Sequence, residues 1–137
     1  MADYASSDLS TSDLSTSVLI VASPGELRES LQALLATLPR VGQVLVANDG
    51  AGALSAIERN CPELLVVDGD IPAGNAHRLL ERAKQECPES RFLVLVDSTA
   101  QLNEAESAGA DRAVLKGYPA SQLLRTASEL INRPDAS

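Results

Sequence analysis

Short apolar runs recur along the chain from Val18 onward. They are VLIVA (Val18 to Ala22), VLVA (Val44 to Ala47), LLVVD (Leu64 to Asp68) and RFLVLV (Arg91 to Val96), with a shorter run from Ala113 to Leu115. Continuous apolar runs of this length are the pattern of strands covered on both faces. Between them lie segments whose apolar residues return at helical spacing. In the first, Leu27, Leu31, Leu34, Leu35 and Leu38 line one face. Ser23, Pro24 and Glu26 stand before it as cap, first-turn proline and capping-box acid. Further helices are predicted over about 51–60, after the turn NDG, and over about 76–86, 100–108 and 121–132. Gly109 is placed to end the fourth as a left-handed cap.

Five β/α units with short connections predict an α/β fold of the flavodoxin-like (βα)5 kind. It is a three-layer sandwich around a parallel five-stranded sheet of order 2-1-3-4-5. Residues 18–132 form this domain. Residues 1–17 repeat the pentad DLSTS and carry only Leu9 and Leu14 as large aliphatics, which predicts a disordered tail with serines and threonines open to modification. Residues 133–137 read as a C-terminal tail or the start of a linker.

Composition sharpens this picture. The chain has 137 residues, enough for one domain with a real core, and its aromatics are only 2%, so that core is aliphatic. A formal charge of -8 argues against nucleic-acid or anionic-membrane surfaces, which select basic patches. The N-terminus lacks the basic and apolar regions of a signal peptide, and no apolar run is long enough to span a membrane; a cytoplasmic protein is expected. Cys61 and Cys87 each precede a proline and are expected to be free thiols in a reducing compartment.

Ligands of open α/β sheets sit beyond the carboxyl ends of the strands. The predicted strands bring Ala22 and Ser23, Asp68, Val96 with Asp97, and Lys116 to that rim. No nucleophile and base converge there, so an enzyme is not expected. His77, the only histidine, has no partner at ligand spacing and reads as a solvated helix residue.

Over residues 18–132 the chain resembles the receiver domain of bacterial two-component response regulators. The likeness is carried by VLIVAS…LRESLQALL, NDGAGAL, PELLVVDGDIPAGN and GADRAVLKGYPASQLL. The resemblance implies that Asp68 stands at the phosphoacceptor position, Lys116 at the position that contacts the phosphoryl group, Tyr118 at the aromatic switch and Pro72 in the turn after the acceptor. It also exposes departures. Ala22 and Ser23 replace the acidic pair that binds Mg²⁺, Val96 replaces the switch hydroxyl, and Gly117 replaces the proline after the lysine.

Asp68 and Lys116 alone sum to about zero charge, and one carboxylate with a serine hydroxyl is a poor Mg²⁺ holder. A standing ion pair between them is expected, with about 4 kcal/mol of attraction at an intermediate dielectric before desolvation is subtracted. Asp70 and Asp97 are weak metal candidates that more naturally face water or cap a helix. The expectation is a degenerate receiver, a pseudo-receiver, with no cofactor. It would act as a signalling interaction module toward a histidine kinase or an output protein, or as a homodimer, through the face of helix four, strand five and helix five. Two alternatives stand beside it: a working phosphoacceptor of a histidine-kinase phosphorelay using Asp68 with Mg²⁺, and a small-ligand sensor using the rim around Ala22, Ser23 and Val96.

Overall fold

The computed structural model describes residues 16–71, 75–117 and 119–132. Five strands alternate with five helices: β1 Thr16–Val21, α1 Glu26–Leu35, β2 Val41–Ala47, α2 Gly50–Arg59, β3 Leu64–Asp68, α3 Asn75–Glu86, β4 Arg91–Val96, α4 Thr99–Ser107, β5 Arg112–Leu115 and α5 Ala120–Asn132. All strand pairs are parallel, in the order β2-β1-β3-β4-β5. The predicted fold class and strand order are therefore observed.

Pleating divides the strands between two aliphatic layers. Leu19, Val21, Leu65, Val67, Val94 and Val96 pack on the layer that takes in Ala53 and Ile57 of α2 and Leu79, Leu80 and Ala83 of α3. Val18, Ile20, Leu64, Val66, Leu93 and Leu95 face Leu31 and Leu35 of α1 and Leu123, Ala127 and Leu130 of α5. Phe92, the only phenylalanine, is 1% exposed, and the Lys84 ammonium lies 5.3 Å from its ring centre.

Several local signals resolve differently from the sequence reading. β1 starts at Thr16, so Thr16 and Ser17 are strand residues; the tail's other residues, 1–15, lie outside the described ones, as do 133–137. β2 starts at Val41. Ser23 does not cap α1: Gly25 occupies the cap position with no side-chain bond, and Ser23 is exposed. The α2 cap is Asp49, which accepts from the Gly52 N–H at 2.9 Å. Gly109 has φ +117°, and the Ala110 and Gly109 N–H groups donate to the Ala105 and Glu106 carbonyls, closing α4 with the expected left-handed residue.

The free-thiol expectation is overturned. Cys61 and Cys87 form a disulfide, with Cα atoms 5.7 Å apart. α2 and α3 lie on the same layer and both end at the amino pole of the sheet, so their exits meet although the cysteines stand 26 positions apart in the chain. Ser90 Oγ donates to the Pro62 carbonyl and the Arg91 N–H to the Glu63 carbonyl, fixing the two loops side by side. Compartment arguments from composition carry no information about this juxtaposition.

Closing a loop of this length restricts the unfolded chain, and Cys61→Ser is expected to cost about 3 kcal/mol in non-reducing denaturant melts. Native protein prepared without reductant should resist thiol alkylation, and reduction should expose two reactive thiols by mass. Two alkylated cysteines before reduction would show the bridge to be absent.

Candidate functional site

The carboxyl ends of β3, β4 and β5 build the site. Asp68 closes β3, and the next residue, Gly69, donates its N–H to the Leu95 carbonyl at 2.8 Å, so the chain clings to β4 for one residue past the strand. A Cβ at Gly69 would stand 2.8 Å from that same oxygen, which is why glycine occupies the position. The chain then turns, with the Ile71 N–H bonded to the Asp68 carbonyl and the Asp70 N–H to Asp68 Oδ1 at 2.9 Å. On the neighbouring strand the Lys116 N–H donates to the Val96 carbonyl at 2.8 Å, which sets the lysine beside the turn.

Lys116 Nζ lies 2.7 Å from Asp68 Oδ1, 2.8 Å from Asp70 Oδ2 and 3.7 Å from Asp97 Oδ1. The side chains of Lys116 and Asp68 are 21% and 15% exposed, whereas Asp70 and Asp97 are about half exposed. The sequence count of Asp68 and Lys116 alone therefore omitted two acids. Three carboxylates surround one ammonium and leave a formal -2. Asp97 does not cap α4: Ser98 does, accepting from the Gln101 N–H, while Gln101 Oε1 accepts from the Asp97 N–H.

Contact orders the acidities of this group. The Lys116 hydrogen bond holds Asp70 below the usual carboxylate range, while the hydrogen bond with Asp70 pushes the Asp97 carboxyl up. Burial works to lower the Lys116 ammonium, but hydrogen bonds and attraction from Asp68 and Asp70 outweigh it and raise the group. On acidification Asp97 thus takes a proton before Asp70 does. Among the described residues no three His, Cys, Asp or Glu side chains form a group able to hold a metal ion.

The remaining rim positions do not converge. Ala22 is buried in the α1/α5 layer and Val96 in the opposite layer, while Ser23 is exposed. A cavity of about 190 Å³ opens beside Val96, Gly69, Leu80 and Ala105, with His77 and Gln101 at its edge, and neither Ala22 nor Ser23 lines it. The pooled rim expected for a ligand is therefore divided by the sheet. Tyr118 and Pro72 lie outside the described residues.

Arg28 is a rim residue that sequence reasoning missed. It sits in α1 and donates to Asn48 Oδ1 and, at 3.5 Å, to the Ala22 carbonyl. A guanidinium thus stands where β1 ends. Its position on the first turns of a helix entering from the rim was the available signal.

Lys116→Met should destabilise the fold by about 1–2 kcal/mol near neutral pH, between exposed-pair and buried-pair values, because it strands Asp68 beside two other acids. Asp70 binds its proton less readily folded than unfolded, so its contribution is present above its unfolded value and lost as pH falls through the folded one. Lys116 contributes fully below the ordinary lysine value and loses this as pH rises through its raised one. Urea melts of both proteins should accordingly converge in acid and again at strongly alkaline pH; a constant gap would refute the ion-pair account.

A scan against protein-family models finds no match, and a search of curated proteins also finds none. Solved structures do match. A candidate response regulator of Chloroflexus aurantiacus is 24% identical with a TM-score of 0.77, covering 86% of this chain and 98% of that one. A response regulator receiver domain protein of Clostridium thermocellum is 20% identical with a TM-score of 0.75, covering 86% and 95%. A CheY-like receiver domain protein of Methanospirillum hungatei is 23% identical with a TM-score of 0.74, covering 85% and 94%. The chain has the fold of response regulator receiver domains, with the sheet order and five helices described above.

Proposed function

We propose that this chain is a degenerate receiver: a non-enzymatic signalling module that works by binding a protein partner, without the Mg²⁺-dependent aspartyl phosphorylation cycle. The observation that carries the reading is Lys116 Nζ, seated within 2.8 Å of both Asp68 and Asp70. In a phosphoryl-transfer site a divalent ion balances the charge of the transferred group. Here a tethered ammonium already occupies the carboxylates, and Arg28 rather than an acid stands at the end of β1. Val96 offers no hydroxyl to read an added phosphoryl group.

The partner would be a histidine kinase or an output protein, docking on the face of α4, β5 and α5. The proposed setting is the cytoplasm; no helix among the described residues is long and apolar enough to cross a membrane. The Cys61–Cys87 bridge, of a kind that reducing compartments disfavour, is what that setting has to accommodate.

A second reading keeps Asp68 as a phosphoacceptor. It is favoured by the formal -2 around Lys116, since Asp70 and Asp97 return two negative charges to a rim from which Ala22 and Ser23 have removed them.

Titration with Mg²⁺, then acetyl phosphate or beryllofluoride, read by NMR and intact mass with Asp68→Asn as control, separates the two. The degenerate reading expects no adduct and no shift at the rim up to millimolar Mg²⁺. A phosphoryl or beryllofluoride adduct that disappears in Asp68→Asn would replace it with the second reading.

A further inference from the structure

The Cys61–Cys87 bridge is covalent chemistry that the Asp68 site does not use, and its two halves differ in access. Cys61 is exposed, whereas Cys87 is 3% exposed and packs in the α2/α3 layer with Ala83 and Phe92. A cavity of about 340 Å³ opens beside the bridge, lined by both cysteines, the prolines that follow them and Ile131. A thiol can therefore approach the bond from solvent at one sulfur and not at the other. Exposed bridges are the labile ones, and those of reducing compartments are usually transient.

We infer that this bridge is a thiol–disulfide exchange site whose co-reactant is a dithiol reductant, and that the exchange sets how firmly α3 is held to α2. The attacking thiolate forms a bond to Cys61 Sγ and breaks the Cys61–Cys87 bond, so Cys87 leaves as a thiolate and takes up a proton. The reductant's second thiol then attacks the reductant's own sulfur in the mixed disulfide, which frees Cys61 as a thiol and closes the reductant into a disulfide. The two electrons gained by the cysteines are those lost by the reductant. Asp68 takes no part in these steps, so they stand or fall separately from the degenerate reading.

A dithiol is specified by what stays in place when the bond opens. The Arg91 N–H donates to the Glu63 carbonyl at 3.0 Å, the Cys87 N–H to the Ala83 carbonyl at 2.7 Å, and Ser90 Oγ to the Pro62 carbonyl. None of these bonds needs the sulfur link, so the two thiols stay neighbours after reduction. Cys87 then returns to a mixed disulfide at Cys61 and expels a monothiol, because a tethered group acts at a high effective concentration. A reductant with a second thiol of its own wins that competition. The same ties let the bridge re-form, which makes the exchange reversible. The pair is acted upon and is not itself an attacking dithiol: both cysteines follow the C-terminal ends of helices, among the exposed Glu63, Glu86 and Glu89, where negative charge disfavours a thiolate.

α3 is the element that responds. Cys87 continues the buried stripe of Leu79, Leu80 and Ala83, while the other end of the helix brings Ala76 and His77 to the cavity beside Gly69 and Val96. With the bridge open, no covalent bond holds its C-terminal end to the α2 exit.

The full 137-residue chain, purified without reductant and kept free of denaturant, is treated with dithiothreitol or with 2-mercaptoethanol at equal thiol concentration. Alkylation and intact mass read the thiols, while circular dichroism and amide hydrogen exchange read each state. Dithiothreitol should give folded protein with two alkylated cysteines, 2-mercaptoethanol should leave most of the bridge intact, and oxidised glutathione should restore it. In the reduced protein the α3 amides should exchange roughly tenfold faster or more, with α1 and α5 changing less. Cys61→Ser should show the same α3 pattern with no reductant present. A chain isolated with both thiols free, a bridge that dithiothreitol opens only in denaturant, equal reduction by the two reagents, or a reduced state that is unfolded or exchanges like the oxidised one would each overturn the inference.

Discussion

Covering β1, β3 and β4 on both faces leaves no room for an ionisable side chain anywhere along their middle. An unpaired charge in that aliphatic layer would cost several kcal/mol, on the order of a domain's whole stability. Polar chemistry is thereby driven to the strand ends, and parallel pairing brings those ends together at one rim. Asp68, Asp97 and Lys116 are neighbours because three adjacent strands stop at matching heights, with Asp68 opposite Leu95 and Val96 opposite Leu115 in the ladder. The site is a boundary effect of the core.

That boundary also explains how one lysine serves three acids. Lys116 leaves a backbone pinned to β4 and crosses toward β3, so its ammonium lies over the gap between two loops. Asp68 is presented by a strand and is well shielded; Asp70 and Asp97 come from turns and stay half in water. Attraction is therefore least screened toward Asp68, where burial is greatest, and weakest toward Asp97 at 3.7 Å. A cation tethered to the chain cannot be titrated away by chelation or dilution as a dissolved ion can.

Much of the fold was legible because its signals are local. Runs such as LLVVD and RFLVLV, and leucines at helical spacing, report burial within a few residues of themselves, and Gly109 reports a backbone angle. Asp68 and Lys116 were legible as strand-end residues once the strand order was known. Asp70 and Asp97 are half in water as expected, but that they also turn to Lys116, and that Arg28 reaches the rim, was not legible, because the direction a loop side chain takes depends on turns such as Gly69 to Ile71 that periodicity does not describe. The disulfide was missed for a related reason: two similar Cys-Pro exits give no clue that α2 and α3 end side by side. Ser23 is a residue type suited to a cap, but the helix begins two residues later, after Gly25.

The bridge has a bearing on how the molecule comes to be assembled. Between Cys61 and Cys87 lie β3, Asp68, Asp70 and α3, so an oxidised chain that has lost every other contact still carries these elements inside one covalent ring. Within the ring a strand and its following helix search a much smaller volume for each other, which lowers the entropic barrier to their docking. Lys116 is outside it. Two of the acids thus lie inside the ring and the cation that satisfies them lies outside it, on a strand joined to the sheet only through β4.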